Sequence, residues 1–70
     1  MPRLPSRTPK DIARLLIEHG FVLVRSRGSH AIYNHSRNDR VVVIPMHARD
    51  LPKGTLHDIL NQAGLSKDDL

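Results

Sequence analysis

The chain contains no cysteine among its 70 residues, which excludes a disulfide framework and any metal site built on thiolates. It has no apolar run long enough to span a membrane, and its first residues, MPRLPSRTP, lack the apolar segment of a signal peptide. We therefore expect a soluble, cytoplasmic protein that does not span a membrane. Seventy residues are close to the lower limit for an independent core, so we expect one domain without a dedicated cofactor site.

Acidic residues are outnumbered. Eleven Lys and Arg against seven Asp and Glu give a net charge of +4 and a pI near 10.4. Such a balance favours a polyanionic or acidic partner, and composition alone leaves nucleic acid, an anionic membrane surface and an acidic protein open. Most of the positive charge is arginine, whose planar guanidinium binds phosphate through two parallel hydrogen bonds. This preference points towards RNA or DNA.

The N-terminal residues 1–7 are basic and rich in proline, and we expect a flexible arm ahead of a single domain spanning 8–70. Thr8 precedes a proline, which favours the extended backbone of a helix cap, and Asp11 stands three residues later, as in a capping box. The first helix is expected to end near His19, before Gly20.

Three strands follow, at 21–25, 30–34 and 40–44, with a turn at 26–29 and a polar loop at 34–39. Short connections favour antiparallel pairing, and the strand Val41–Ile44 is expected to belong to the core. A second amphipathic helix runs from about Gly54 to Gly64. The predicted fold is α+β, in the order α-β-β-β-α, with two helices on one face of a three-stranded antiparallel sheet. Double-stranded-RNA-binding domains share this order, which by itself does not define a function.

Several common kinds of active site lack support. The chain has five histidines, but no two of them stand at i, i+4 on one helix and no cysteine is present to complete a site, so we expect no metal. Ser29 and His30 are adjacent on a predicted strand and point to opposite faces, which excludes a simple nucleophile–base pair. The four glycines match no phosphate-binding loop.

One histidine remains as a candidate for catalysis. His30 opens the second predicted strand, after Arg25, Arg27 and a Gly-Ser turn. Metal-independent RNA cleavage needs a group that moves the 2′-hydroxyl proton and positive charge that stabilises the oxyanion. Imidazole changes charge near neutral pH and suits the first task. The residues alone favour a histidine that is merely exposed on a sheet over a catalytic one. Strand alternation does not reveal which face His30 occupies.

The ordered segments of the chain resemble the HicA family of messenger-RNA interferases, from about Asp11 to Asp69. Gly-Ser-His alone would be a weak signal, but the whole set stands at the family's intervals. The segments are HGFVLVR (19–25), RGSHAIY (27–33), VVVIPMH (41–47), GTL (54–56), Ile59-Leu60 and QAGL (62–65).

The resemblance implies a double-stranded-RNA-binding-like fold, cleavage of messenger RNA without metal or other cofactor, and a HicB-type antitoxin that covers the active surface. It also implies that His30, in Gly-Ser-His, is the catalytic residue and that His47 has a supporting role, with fixing of the loop as the alternative. Candidate RNA-binding residues are Arg25, Arg27, Gly28, Ser29, His47 and Lys53.

For several of these residues, an interpretation without any role in RNA binding remains open. The cations Arg25, Arg27 and Lys53 can be solvated charge, and Tyr33 can be either a base-stacking ring or a half-buried sheet aromatic. The whole protein can also be a non-catalytic RNA-binding module, which predicts salt-sensitive binding without strand scission. A third alternative is a protein whose basic face only binds an acidic partner.

Overall fold

The computed structural model describes residues 7–47 and 49–70, and its elements follow the predicted order α-β-β-β-α. They are α1 (Pro9–Glu18), β1 (Phe21–Arg27), β2 (His30–His35), β3 (Val41–Pro45), α2 (Lys53–Ala63) and a short 3₁₀ helix (Lys67–Asp69). The strands form one antiparallel sheet in the order β1-β2-β3. The predicted α+β fold is confirmed. Residues 1–6 of the predicted basic arm lie outside the described residues.

Helix α1 begins at the capping box that the sequence predicts. The Thr8 hydroxyl accepts a hydrogen bond from the Asp11 backbone N–H at 3.2 Å, and the Thr8 N–H donates to the Asp11 carboxylate at 3.1 Å. The backbone N–H of Thr8, and after it the Thr8 side-chain hydroxyl, stabilise the charged carboxylate of Asp11 and lower its pKa below the usual 3.8. Gly20 follows the helix with φ +93°, a conformation that glycine adopts without steric cost.

The β1–β2 hairpin is tighter than expected. Strand β1 continues to Arg27, so only Gly28 and Ser29 form the turn instead of the four residues 26–29. Gly28 has φ +60°, which a two-residue hairpin turn requires. Strand β3 lies one residue later than predicted and includes Pro45. A proline is tolerated there because β3 is an edge strand and needs no further partner on its outer side.

A β-bulge interrupts β1 at Val24. Residues Phe21 to Leu23 pair with His35 to Tyr33, whereas Arg25 pairs with Ile32 and Arg27 with His30, so the register shifts by one residue. In a regular strand, side chains four residues apart lie on the same face. The bulge reverses this, and it directs Phe21 to one face of the sheet and the two arginines to the other.

The helices cover one face of the sheet and form a single core with it. Strand residues Ala31, Tyr33, Val42 and Ile44 alternate into this core, which the apolar sides of α1 and α2 close. The predicted apolar side of α2 is confirmed, since its four members are all buried: Leu56, Ile59, Leu60 and Ala63.

Helix α2 ends at a left-handed cap. Gly64 has φ +73°, and the Leu65 N–H folds back to donate to the Leu60 carbonyl at 2.8 Å. Ser66 and Asp69 form a second capping box, at the start of the 3₁₀ helix. These contacts join residues close together in sequence, and they determine where α2 ends.

The opposite side of the sheet, here called the open face, is not covered by either helix. The strand register defines its three rows: Val22–Asn34–Val41, Arg25–Ile32–Val43 and Arg27–His30–Pro45. Val41 and Val43 are 53% and 38% exposed. The expectation that the whole of Val41–Ile44 belongs to the core is therefore wrong for these two residues, because alternate side chains of a strand point to opposite faces.

Candidate active site

His30 lies exposed at the first position of β2. The residues one and three positions later in the strand, Ala31 and Tyr33, are buried, and each is 4% exposed. Because alternate residues of a strand share a face, His30 lies on the open face, away from the two helices. Its imidazole is therefore accessible to a large ligand such as a polynucleotide, as a catalytic role requires.

Two guanidinium groups share this face. The register places Arg27 directly opposite His30 on β1, and Arg25 one row away beside Ile32. Both arginines are exposed. Residues directly opposite in an antiparallel pair have Cβ atoms about 5 Å apart. The bulge at Val24 therefore gathers positive charge next to the imidazole.

A second histidine stands beside the first. The His30 and His47 ring centroids are 6.3 Å apart, with the ring planes inclined at 67°. His47 lies two residues beyond Pro45, which pairs with His30 across the sheet. The Met46 N–H donates to the Ser29 carbonyl at 2.6 Å, which ties the loop carrying His47 to the β1–β2 turn. Residues far apart in sequence thus form one pair of exposed imidazoles.

The remaining predicted RNA-binding residues are less close to His30. Gly28 and Ser29 form the exposed turn immediately before it, and a Cβ added at Gly28 would meet no atom within 4 Å. Lys53 is exposed at the start of α2, which packs on the other face of the sheet. Within residues 7–47 and 49–70, no hydrogen bond or ring contact joins Lys53 to His30. An RNA-binding role for these residues stays a prediction.

His35 has a structural role that its predicted loop position does not indicate. It is the last residue of β2, and its Nε2 lies 2.9 Å from the His19 carbonyl oxygen. Its Nδ1 accepts hydrogen bonds from the backbone N–H groups of Arg37 and Asn38 at 3.0 and 3.3 Å. The donor to His19 is therefore Nε2–H. The ring also packs edge-on against Phe21, with centroids 4.9 Å apart.

Tyr33 is the sheet aromatic rather than a base-stacking ring. It is buried on the core face, and burial raises its pKa above the usual 10.0. The open face instead carries aliphatic surface, and the exposed fractions of Val22, Val41 and Val43 are 57%, 53% and 38%. The sequence does not reveal this aliphatic surface, because Val41–Ile44 is an unbroken apolar run and the bulge shifts the alternation on β1.

Within the described ranges, no group of three or more histidine or acidic side chains is placed to hold a metal ion. The helices described there are too short and too polar to cross a membrane.

Fold and site together define a small basic α+β domain that presents a histidine pair on the sheet face that neither helix covers. The chain matches the HicA toxins of bacterial toxin–antitoxin systems over residues 9–65, and it belongs to this family. The match runs from the first residue of α1 to just beyond the end of α2. It is thus a toxin, and the family implies an antitoxin as its partner. No curated protein matches the chain.

Proposed function

We propose that this toxin is an endoribonuclease that cleaves messenger RNA without a metal, with His30 in proton transfer. The observation that carries the proposal is the exposed imidazole of His30 on the open face, directly opposite Arg27, in a member of the HicA toxin family. Messenger RNA as the substrate also agrees with the cytoplasmic location expected from the sequence.

The chemistry needs few protein groups. The ribose 2′-hydroxyl loses its proton and its oxygen attacks the adjacent phosphorus, while the bond to the 5′-oxygen breaks. The imidazole of His30 either accepts the proton from O2′ or donates one to O5′, and solvent water exchanges the other proton. The guanidinium groups of Arg25 and Arg27 stabilise negative charge on the phosphate oxygens. The backbone at Gly28 and Ser29 leaves room for the RNA strand beside His30, since nothing lies within 4 Å of a Cβ built at Gly28.

A HicB-type antitoxin is proposed to inhibit the toxin by covering the open face. This face combines the arginines with exposed valines, namely Val22, Val41 and Val43. Apolar surface bordered by charge is typical of protein-binding sites, and the net charge of +4 favours an acidic partner. Occupying this face would exclude RNA from His30 by direct occlusion. A negative charge introduced into the valine patch by Val41→Glu is expected to weaken antitoxin binding while the His30 region stays intact.

The direct test compares the protein with its His30→Ala variant on single-stranded RNA in the presence of a chelator. Loss of one acid–base group is expected to slow cleavage by about 10²- to 10⁴-fold. His57→Ala is the matched control, because His57 is exposed on α2 away from the open face. Circular dichroism of both variants should match that of the parent protein.

Undiminished cleavage by His30→Ala would refute the catalytic assignment. The second candidate, a non-catalytic RNA-binding module, rests on the α-β-β-β-α order that double-stranded-RNA-binding domains share. It predicts that the parent protein binds RNA with a strong dependence on salt and leaves the strand intact.

A further inference from the structure

We propose that His47 is a second catalytic residue, which forms an acid–base pair with His30 across one phosphodiester. The inference rests on the proposed ribonuclease function and extends it, since sequence reasoning gives His47 only a supporting role. Its basis is the separation of the two rings and the freedom of both to reach a bound phosphate.

The separation suits one phosphate group between the rings. At 6.3 Å between centroids, the two imidazoles are not stacked and their planes are steeply inclined. A proton-transfer group needs to approach its substrate oxygen to about 2.6–3.2 Å. Two rings at this spacing can each reach a different oxygen of a phosphodiester, one at the attacking side and one at the leaving side.

Both rings are free to act, in contrast to His35. Both nitrogens of His35 are held by backbone groups, so that ring serves the fold. Across residues 7–47 and 49–70, neither His30 nor His47 makes a hydrogen bond through its ring, and both are exposed. Neither of them lies among the buried side chains of the core, so the fold does not account for placing the two imidazoles together.

The backbone holds the pair in place. His30 and Pro45 are direct partners in the sheet, and the Met46 N–H bonds to the Ser29 carbonyl at 2.6 Å. The residues that immediately precede both histidines are therefore joined to each other. Positioning of catalytic groups by a rigid sheet end lowers the entropic cost of bringing them to the substrate.

The reaction balances with these two groups alone. The neutral imidazole of one histidine accepts the 2′-hydroxyl proton as the bond from O2′ to phosphorus forms. The protonated imidazole of the other donates its proton to O5′ as the bond from phosphorus to O5′ breaks. The products are a 2′,3′-cyclic phosphate and a free 5′-hydroxyl, and the two histidines finish in exchanged protonation states.

Charged residues on the open face and in the loop after His47 contribute to the electrostatic environment of the two histidines. Arg25 and Arg27 on β1 share the open face with His30, and Arg49 and Asp50 follow His47 in the exposed loop. When the pH dependence is measured, each histidine is therefore substituted alone and these charged residues are left unchanged.

The first experiment measures kcat/KM for RNA cleavage against pH for the parent protein, His30→Gln and His47→Gln, with His57→Gln as the control. An acid–base pair gives a bell-shaped profile in the parent protein. Each variant of the pair is expected to lose about 10²- to 10⁴-fold at the optimum and one limb of the profile. The control is expected to keep the rate and both limbs.

The second experiment separates proton transfer from loop fixing. An RNA substrate with sulfur in place of the 5′-bridging oxygen has a leaving group that needs no protonation. Such a substrate is expected to restore the rate of one of the two variants, the one that lacks the acid, and to leave the other slow. Rescue of either variant alone supports the pair and identifies which histidine is the acid.

Some outcomes overturn the inference without touching the proposed function. They are near-parental cleavage by His47→Gln, or a slow His47→Gln that keeps both pH limbs while sulfur rescues neither variant. A parent protein that cleaves no RNA under any condition would instead defeat the proposed function itself. The two failures are therefore distinguishable.

Discussion

Phe21 and Arg25 lie on opposite faces of the sheet although they are four residues apart in the same strand. Phe21 is 3% exposed in the core, while Arg25 stands on the open face beside Ile32. The bulge at Val24 separates them. It allows one strand to anchor the core at its beginning and to carry positive charge beside His30 at its end.

Deleting Val24 removes this separation. With strict alternation restored, either Phe21 leaves the core or the arginines enter it. Exposing a phenylalanine alone costs about 1.5–3 kcal/mol, so we expect a loss of at least this size in the free energy of unfolding measured with urea. Val24→Ala keeps the bulge and, because Val24 is 56% exposed, should change it by less than about 0.5 kcal/mol. Equal stability of the deletion and the parent would contradict this role of the bulge.

We expect His35 to contribute to the stability of the fold and His30 to contribute to RNA cleavage. His35→Ala removes three backbone contacts and the ring packed on Phe21, so it should lower the free energy of unfolding by about 1–3 kcal/mol. Its folded fraction should still cleave RNA. His30→Ala should do the reverse, with cleavage lost and unfolding unchanged. A His35 variant of parental stability would show that these contacts contribute nothing.

Alanine substitutions at Gly20 and Gly54 are expected to change the stability of the protein in opposite directions. An alanine Cβ at position 20 would lie 2.9 Å from His35 Nε2, on a backbone with φ +93°. Gly20→Ala is therefore expected to cost about 1 kcal/mol or more. Gly54 lies within α2 with open space around it, and Gly54→Ala should stabilise the protein by about 0.4–1 kcal/mol. Thermal unfolding of both variants tests this, and a shift of the same sign in each would refute it.

Acid is expected to weaken α1 through Asp11. Because the Thr8 hydrogen bonds lower the pKa of Asp11 in the folded state below 3.8, the carboxylate stabilises the fold above about pH 3.8. This contribution is lost as pH falls through the folded-state pKa. Unfolding measured from pH 6 to pH 2 should show a smaller acid-dependent loss in Asp11→Asn than in the parent. Asp58→Asn, exposed on α2, is the control and should follow the parent curve.

The arginines of the open face are expected to determine salt-dependent RNA binding. Each phosphate contact on a single strand adds about 0.7 to the slope of log affinity against log salt. Arg25→Gln and Arg27→Gln should each weaken binding and reduce the slope by about this amount. Arg14→Gln, exposed on α1 at the other side of the molecule, should leave the slope unchanged. An equal effect of all three variants would indicate that only net charge matters.

Local sequence signals were sufficient for most of the fold. Thr8 and Asp11 cap α1, Gly64 ends α2, and the helical spacing of Leu56, Ile59 and Leu60 identifies the buried side of α2. These features depend on neighbours within a few residues, so they are visible without a structure. The exposed face of β3 was missed because a run of four apolar residues reads as core whichever way it alternates.

The site could be predicted only in part. The resemblance to HicA singled out His30, but strand alternation left its face open, and the bulge at Val24 has no clear sequence signal. The proximity of His30 and His47 was also invisible, because 16 intervening residues separate them in the chain.

The amino-acid sequence by itself determined the helix ends, the order of the elements, the surplus of positive charge and the candidate histidine. Helix caps and periodic apolar positions act over short distances, so local patterns suffice for them. Only the tertiary structure decided that His30 faces away from the helices, that Arg25 and Arg27 accompany it, and that His47 stands beside it. Pairing between strands sets these relationships, and the one-residue shift at Val24 changes the face of every side chain on one side of it relative to the other.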